Sequence, residues 1–402
     1  MFKKIVIIII ILCSVDFFTL IFIPDVIQKG ADILALGLTV VLLVLMYFYD
    51  NSTPITRSFN FPIILIFISV AISMFAAYAF QDQGITITLW SQRAIYYYLV
   101  YYLLSRLRPH PDFIMKVILW FGAAYMIIYI AQSIVYPFEL LSYRLFLDRG
   151  TVRIFMPGAG YFQLGYYISL YLFFKNYKLS NLLYLLSALV VIVLLGSRQL
   201  LASTILITFL FLFLNQVVKA KAVLITMMII SLLPLYFLFK DILMAMVEVT
   251  TSQSKFVEEN IRIRAAEFFL TDFLNSPIAY FTGNGAHGNS SMYGLRVQKF
   301  SLQYGFYQSD IGLIGDYVRF GLIYVVGVLI FIFKVFKSQL PDKSVAVKYF
   351  FIAIILMMFT GSSTFSNSSG IVILCLMFYI VDSMKLLNQS ENQRIPENIF
   401  TS

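Results

Sequence analysis

The sequence is poor in charge and in the side chains that bind metals. Of its 402 residues, 12% are charged, two are cysteine and two are histidine. Cys13 and Cys375 lie near opposite ends of the chain, each within an apolar run and without a cluster of histidine or acidic residues nearby. This pattern supports neither a disulfide framework nor a metal centre, so we predict that the protein uses no metal and no cofactor.

Apolar residues dominate the chain. Hydrophobic residues make up 60% of it and the mean hydropathy is +0.87, which excludes a soluble multidomain protein. We predict an all-α polytopic membrane protein, a single integral-membrane domain over residues 1–402 with about 12 transmembrane helices. The predicted spans are Ile5–Ile23, Ile33–Tyr49, Pro62–Phe80, Thr86–Leu104, Val117–Tyr136, Tyr161–Phe174, Asn181–Leu195, Gln199–Leu214, Ala222–Phe239, Ile311–Phe333, Lys348–Thr360 and Ser368–Met384.

The first apolar run follows two lysines, as in a secretory signal peptide. It is longer than the apolar region of such a peptide and lacks a small-residue cleavage site, so we predict a retained first helix. Lysines cluster at alternate connections along the chain, and the positive-inside rule then places both termini in the cytoplasm. On this topology, residues 240–310 form a large outward loop with amphipathic helices, residues 136–160 form a smaller outward loop, and residues 387–402 form a cytoplasmic tail.

The net charge of +9 does not indicate nucleic acid as a partner. Most of it comes from lysines on the predicted inner side, where they orient the helices against anionic lipid. Arginine predominates in the rest of the chain. Orienting a helix in the membrane requires only positive charge, which lysine provides. Arginine can also bind a phosphate, because its planar guanidinium offers two parallel hydrogen-bond donors. The outward arginines therefore indicate an anionic ligand.

Arg198 stands within the motif Gly196-Ser-Arg-Gln199, in the middle of the apolar segment Asn181–Leu214. As one helix this segment would extend about 51 Å, beyond a hydrocarbon core of about 30 Å. We therefore predict a break at Gly196-Ser197, which leaves Arg198 at the depth of lipid phosphates. Arg198 is either a snorkelling arginine at a helix end or a ligand-binding group.

Two further arginines lie within predicted spans. Arg93 is about 12 Å from the outer end of the fourth span and needs a partner. It forms either a structural ion pair, with Asp16 as the candidate mate, or a contact with the substrate. Arg319 follows Asp316 by about one helical turn, so we expect an internal salt bridge between these two residues.

The outward loops carry the remaining candidates. Arg144 and Arg153 belong to an amphipathic segment that is either a surface helix facing lipid or a substrate contact. Arg262 and Arg264 open a second amphipathic pattern, in which Arg264 is spaced to pair with Glu267, so Arg262 is the more available cation.

A glycine-rich turn and a candidate helix start follow in the large loop. The turn, Gly283-Asn-Gly-Ala-His-Gly288, contains His287. Later, Ser309-Asp310 precedes a long apolar run. Asp310 is either the cap of the helix that begins there or a proton acceptor.

The order of these motifs carries a resemblance. Arg153-Ile-Phe-Met-Pro precedes a span, Gly-Ser-Arg198 separates two spans, and a large outward loop contains Arg262, Gly283-Asn-Gly285 and Ser309-Asp-Ile-Gly312. This set, over about Arg144 to Gly327, resembles the superfamily of O-antigen polymerases and ligases. The resemblance implies a glycosyltransferase of the bacterial inner membrane that uses undecaprenyl diphosphate-linked oligosaccharide as donor and acceptor on the periplasmic face. Membrane lipid and a chain-length regulator protein are the other partners it implies.

One departure from the family pattern favours the polymerase branch. Ligases typically have His-Asn where the large loop meets the next span, and this chain has Gln308-Ser-Asp310. We therefore predict a polymerase of O-antigen or a similar surface polysaccharide. The alternatives are a ligase that transfers glycan to lipid A-core, and a transporter that flips the lipid-linked oligosaccharide.

The predicted site combines cations with one carboxylate. Arg198 and Arg262 would bind the diphosphate leaving group, and Asp310 would orient or deprotonate the incoming hydroxyl. The predicted substrate-binding residues are Arg93, Arg144, Arg153, Arg264 and His287.

Overall fold

The computed structural model describes residues 2–49, 55, 57–142, 145–148, 151–215, 218, 237, 240–255, 260–274, 276–340, 344–359, 361 and 363–393. Some of the predictions fall on other parts of the chain. The candidate Arg144 lies outside the described residues, as does the predicted span Ala222–Phe239 apart from Phe237. Residues 394–402 of the predicted tail are also outside them.

The described chain is mostly helical. Its helices are α1 (Phe2–Ser14), α2 (Asp25–Tyr49), α3 (Asn60–Gln81), α4 (Ile85–Ser91), α5 (Leu99–Leu107), α6 (Pro111–Val135), α7 (Ala159–Asn176), α8 (Leu179–Leu194), α9 (Arg198–Leu214), α10 (Lys240–Lys255), α11 (Ile261–Thr271), α12 (Ala279–Thr282), α13 (Met292–Tyr304), α14 (Leu313–Phe320), α15 (Leu322–Lys337), α16 (Val345–Met357) and α17 (Ser368–Gln393). Short 3₁₀ turns occur at Asp16–Thr19, Arg93–Tyr98 and Gln308–Ile311.

Several helices have the length and composition to cross a membrane. These are α2, α3, α6 and the first 20 residues of α17, while α8, α9 and α16 are shorter apolar helices. The protein is thus helical and consistent with a membrane protein. The count of about twelve spans remains a prediction.

Two short strands form in the amphipathic segment that ends at Arg153. A surface helix, one of the two interpretations of this segment, is not what the structure shows for its described residues. Strands β1 (Phe146–Asp148) and β2 (Thr151–Arg153) pair antiparallel, with Leu147 opposite Val152. The β-branched residues Thr151 and Val152 favour strand over helix.

The predicted break in the segment Asn181–Leu214 is confirmed. Helix α8 ends at Leu194 and α9 begins at Arg198. Gly196 lies between them with a φ of +64°, which glycine adopts without steric cost. Ser197 caps α9, because its hydroxyl accepts a hydrogen bond from the Leu200 N–H at 3.4 Å.

Three predicted spans are not continuous helices. The span Ile5–Ile23 is helical only to Ser14 and then enters the 3₁₀ turn Asp16–Thr19. The span Thr86–Leu104 divides into α4, a 3₁₀ turn and α5, and the span Ile311–Phe333 is interrupted at Gly321. Hydropathy alone predicts apolar length and does not detect these breaks.

Helix α17 forms the centre of the bundle. Every residue from Ile371 to Val381 is at most 1% exposed. It packs against α1, α5, α6, α7 and the 3₁₀ turn that follows α4. The Phe378 ring stacks on Phe59 and Phe331, with centroid separations of 4.2 and 4.6 Å. A helix that is apolar on all sides is typical of a buried position, and this one is surrounded by other helices.

The carboxyl-terminal half of α17 joins connections that the sequence places in the cytoplasm. The Asp382 carboxylate accepts hydrogen bonds from the Tyr101 hydroxyl at 2.6 Å and from the Ser58 N–H at 3.2 Å. The Tyr379 hydroxyl donates to the Pro109 carbonyl at 2.5 Å. Connections predicted to face outward meet around the other end of this helix.

Residues 260–311, the outer segment, have a small core of their own. Helices α11, α12 and α13 and the turn Gln308–Ile311 contribute apolar side chains to it, and α14 closes it. The buried members are Ala265, Phe269, Phe273, Leu274, Ala279, Tyr293, Val297, Phe306, Ile311 and Val318. This core holds the predicted large loop as a folded unit.

The outer segment meets the bundle where two backbones approach closely. The N–H groups of Asn284 and Gly285 donate to the carbonyls of Val318 and Arg319 at 2.9 and 2.8 Å. A Cβ at Gly321 would lie 2.1 Å from the Phe281 carbonyl oxygen, and its φ is +80°. Only glycine fits there, which explains why the helix breaks at Gly321.

Candidate functional site

A cavity of about 520 Å³ lies at the amino-terminal end of α17, and we call it the main cavity. Several segments that are distant in sequence line it, and the sequence predicts that three of them, the turn 156–160, the break at Gly196-Ser197 and Arg262, lie on the outward side. Its lining residues are Ser14, Asp16, Met156, Pro157, Gly158, Ala159, Gly160, Gln163, Ser197, Gln199, Arg262, Phe350, Ile354, Met357, Met358, Gly361, Ser363, Thr364, Phe365, Asn367, Ser368, Ser369 and Gly370. The volume is within the range of small-molecule sites, about 300–1,000 Å³.

The wall of the main cavity has two different faces. One face carries hydroxyl and amide groups, mainly from the turn 361–370 between α16 and α17. The other is apolar and comes mainly from α16, with Phe350, Ile354, Met357 and Met358. Among the described residues of the lining, Asp16 is the acid and Arg262 is the cation. The cavity therefore suits an amphipathic ligand, and Arg262 is the cation that its wall offers to a negatively charged group.

Arg262 is held by the start of α11. The Asn260 side chain caps this helix and accepts a hydrogen bond from the Arg262 N–H at 3.0 Å. Helix α11 packs against the turn Gln308–Ile311 through the core of the outer segment. The Arg262 side chain is exposed and reaches the main cavity.

Asp16 lies on a strained turn. The four consecutive residues from Asp16 to Thr19 have φ values of 47°, 52°, 57° and 55°, although none is glycine. Each left-handed residue of this kind costs about 1–2 kcal/mol. Such conformations persist only where the surroundings hold them, and they often occur at functional sites.

Packing holds this turn in place. Val15 and Phe18 are buried, and a Cβ at Gly158 would lie 3.0 Å from Val15 Cγ1. The Phe18 N–H donates to the Val15 carbonyl at 2.7 Å, and the Ser142 N–H donates to the Thr19 carbonyl at 2.8 Å. The turn is thereby fixed on both sides of Asp16.

The polar turn 361–370 is also preorganised. The Asn367 side chain donates to the Ser363 carbonyl at 2.7 Å and accepts from the Gly370 N–H at 2.6 Å. The Phe365 carbonyl accepts from the hydroxyls of Tyr98 and Tyr324 at 3.1 and 2.7 Å. These bonds fix the backbone that presents the hydroxyl groups to the cavity.

Arg198 and Arg153 lie next to segments that line the main cavity, although neither is in the lining. Arg198 is half-buried between Ser197 and Gln199, which both line it. Arg153 ends β2, three residues before Met156 of the lining. The structure thus brings the segments of Arg153, Arg198 and Arg262 to one end of the bundle. Among the described residues, Arg262 is the arginine whose side chain lines the cavity.

Asp310 is exposed in the turn Gln308–Ile311 and is outside the lining of the main cavity. It does not cap the following helix, because α14 begins at Leu313 with Gly312 as its N-cap and without a side-chain cap bond. Gly312 has a φ of +55° and packs against the Met358 carbonyl at the cavity wall. The helix-cap interpretation of Asp310 is therefore wrong, and its role as a proton acceptor stays a prediction.

The expected pair of Asp316 and Arg319 is confirmed, with Arg319 Nη2 2.7 Å from Asp316 Oδ1. The expected pair of Arg264 and Glu267 is not formed, although both residues are described. The Arg264 guanidinium instead lies over the Phe306 ring, 6.0 Å from its centroid.

Arg93 and His287 line a second cavity, of about 530 Å³, together with Trp90 and neighbouring residues of α4 and the turn 287–290. Arg93 Nε lies 3.1 Å from Asp32 Oδ2, so its partner is Asp32 rather than Asp16. The reason is that the chain turns at Asp16–Thr19, after α1 has ended, and the following helix α2 places Asp32 next to Arg93. Burial, followed by the positive charge of Arg319, lowers the pKa of His287 to about 4.

No known family model, curated protein or solved structure matches this chain. Among the described residues, no group of three or more His, Cys, Asp or Glu side chains is arranged to hold a metal ion.

Sequence reasoning considered Asp16 only as a mate for Arg93 and did not place it at the site. The available signal was a carboxylate within the first apolar run, which is costly unless it is paired or functional. The hydroxyl-rich turn after α16 was visible in sequence, but its position beside Arg262 depends on the packing of α17.

Proposed function

We propose that this protein polymerises undecaprenyl diphosphate-linked oligosaccharide repeats into O-antigen or a similar surface polysaccharide. The reaction would occur on the periplasmic face of the bacterial inner membrane, with both termini of the chain in the cytoplasm. The donor and the acceptor would both be lipid-linked oligosaccharides.

The observation that carries this proposal is the make-up of the main cavity. It joins the turn 156–160, the Gly-Ser-Arg break and Arg262, which are three parts of the motif order that resembles the polymerase and ligase superfamily. Motifs that are separated by roughly 40 to 100 residues in the sequence are expected to meet in space if they share one substrate.

The two faces of the cavity fit the two parts of such a substrate. The hydroxyl and amide groups of the turn 361–370 offer donors and acceptors to sugar hydroxyls. The methionine and phenylalanine side chains of α16 offer an apolar surface to the first isoprene units. A lipid-linked sugar has this same division between a polar head and an apolar chain.

Arg262 would bind the diphosphate. A guanidinium donates two parallel hydrogen bonds to phosphate oxygens and stays charged when water is partly excluded. Its charge would stabilise the negative charge that develops on the leaving diphosphate as the glycosidic bond breaks. Arg198, next to the cavity lining, would add positive charge at the same end of the bundle.

The position of the histidine favours polymerase over ligase. The sequence Gln308-Ser-Asp310, where the large loop meets α14, contains no histidine, and His287 lines the second cavity rather than the main cavity. Among the described residues that line the main cavity there is no histidine, which disfavours a ligase mechanism that needs one at that junction.

Gene deletion followed by electrophoresis of the surface glycan tests the proposal. Loss of a polymerase leaves glycans with a single repeat unit. Loss of a ligase leaves none, and loss of a transporter leaves lipid-linked units facing the cytoplasm. Purified full-length protein in proteoliposomes should also extend lipid-linked repeats into a ladder, and failure to do so with a competent donor would count against the proposal.

A further inference from the structure

The main cavity contains a carboxylate that the predicted mechanism does not use. Asp16 lines the cavity, as does Arg262, whereas Asp310 is exposed outside the lining. Arg93 is the nearby cation that could have neutralised Asp16, but it forms an ion pair with Asp32 at 3.1 Å. The Tyr97 hydroxyl also donates to Asp32, at 2.9 Å. In the described part of the chain, the Asp16 side chain forms neither a hydrogen bond nor an ion pair.

We infer that Asp16, rather than Asp310, is the catalytic carboxylate that accepts the proton of the acceptor sugar hydroxyl. This inference rests on the proposed polymerase function and names a residue of the same site. It follows from the presence of Asp16 in the cavity that holds Arg262, and from its lack of a partner there.

The backbone around Asp16 supports this role. Four left-handed residues in succession, starting at Asp16, follow α1, and both Ser14 at the end of this helix and Asp16 line the cavity. Buried Val15 and Phe18 fix the turn from the other side. A carboxylate on a rigid turn needs little reorganisation to receive a proton, which is the condition for efficient general-base catalysis.

The Asp16 carboxylate takes the proton from the acceptor hydroxyl as that oxygen bonds to the anomeric carbon of the donor sugar. The bond between the anomeric carbon and the phosphate oxygen breaks, and its electron pair leaves with undecaprenyl diphosphate, whose added negative charge Arg262 stabilises. Asp16 then releases the proton to water, so no oxidant, reductant or further reactant is needed.

Asp16→Asn removes the proton acceptor with little change of shape. Asparagine adopts left-handed backbone conformations readily, so this variant should retain the turn. In proteoliposomes with purified lipid-linked repeats, we expect its turnover to fall by about 10²–10⁴-fold. Binding of the lipid-linked donor to the same preparation should stay within about threefold of wild type, because the diphosphate contact is intact.

A matched pair separates chemistry from folding. Asp16→Glu and Asp16→Gln place side chains of nearly the same size on the turn, so they share any damage to the fold, but only the glutamate can accept a proton. We expect the glutamate variant to be at least about tenfold more active than the glutamine variant. Asp82→Asn, at an exposed left-handed residue that ends α3, is the control and should keep wild-type turnover.

Three results would overturn the assignment. The first is near-wild-type turnover in Asp16→Asn, and the second is loss of turnover in Asp310→Asn while Asp16→Asn stays active. The third is equal loss in the glutamate and glutamine variants, which would make Asp16 a structural residue. If the wild-type protein does not extend the repeats, the proposed function fails and the inference fails with it. If both the wild type and Asp16→Asn are active, only the inference about Asp16 is rejected.

Discussion

The side-chain Oε1 of Gln83 accepts a hydrogen bond from the Gly288 N–H at 2.8 Å and so joins the end of α3 to the outer segment. The same oxygen accepts from the Ser291 hydroxyl at 2.6 Å, and Nε2 donates to the Ala286 carbonyl at 2.8 Å. Gln83 is 1% exposed. Buried polar groups that lose their partners are costly, so this amide is a main attachment of the turn that contains His287.

We predict that Gln83→Leu loosens the outer segment. The Gly288 N–H and the Ala286 carbonyl lose their partner, at about 1–3 kcal/mol for each group left unsatisfied. Amide hydrogen exchange over residues 286–291 should become faster, while exchange in α17 stays slow. Gln81→Leu is the control, because Gln81 is buried and its Oε1 has no hydrogen-bond partner among the described residues. Equal exchange in both variants would contradict the prediction.

The second prediction concerns the glycine between α14 and α15. Gly321→Ala should destabilise the protein by more than about 2 kcal/mol, because the Cβ would lie 2.1 Å from the Phe281 carbonyl oxygen at a φ of +80°. Melting followed by size-exclusion chromatography in detergent measures the loss. Gly37→Ala lies in α2 with no atom within 4 Å of its Cβ and should be neutral or stabilising. A Gly321→Ala protein as stable as wild type would show that the two backbones do not meet there.

The third prediction concerns Arg262. Arg262→Lys keeps the positive charge but loses the paired donors, so we expect polymerisation in proteoliposomes to fall by about 10- to 100-fold. Arg296→Lys, at an exposed arginine of α13, should retain wild-type activity. Full activity of Arg262→Lys at normal protein level would contradict the prediction, because it would show that only the positive charge at residue 262 is needed.

The fourth prediction concerns pH. His287 has a lowered pKa of about 4 against an ordinary value of 6.5, so between these values the unfolded chain binds a proton that the folded protein does not. This contribution to stability is complete above about pH 6.5 and is lost as the pH falls towards 4. The melting temperature of His287→Gln should therefore decline less than that of wild type between pH 7 and pH 5. An identical decline in both proteins would show that His287 is accessible to protons in the folded state.

The fifth prediction concerns topology. The native cysteines, Cys13 and Cys375, are at most 1% exposed, so a cysteine introduced at the surface can be labelled selectively. Gln199→Cys at the main cavity should react with a membrane-impermeant maleimide added to the periplasm. Lys337→Cys, at the end of α15, should react only after the inner membrane is opened. Labelling of Lys337→Cys from the periplasm would reverse the topology and exclude a periplasmic site.

The sequence by itself determined that the fold is helical, and it singled out Arg262 and the Gly-Ser-Arg motif, which the structure places at or beside the main cavity. Apolar composition predicted a helical protein with helices able to cross a membrane, because hydrophobic runs report burial in lipid or in a bundle core. The break at Gly196-Ser197 followed from length alone, and the pair of Asp316 and Arg319 followed from helical spacing. These features are local, and local spacing determines them.

The tertiary structure decided which polar groups share a cavity. Asp16 and Arg262 are 246 positions apart, and they line one cavity only because a left-handed turn ends α1 and the outer segment folds against α14. The partner of Arg93 is Asp32 for the same reason, since the chain changes direction between α1 and α2. Hydropathy and helical periodicity predict the secondary structure of a segment and which of its faces is buried. They do not predict the neighbours of a buried charge, because these depend on packing between segments that are distant in sequence.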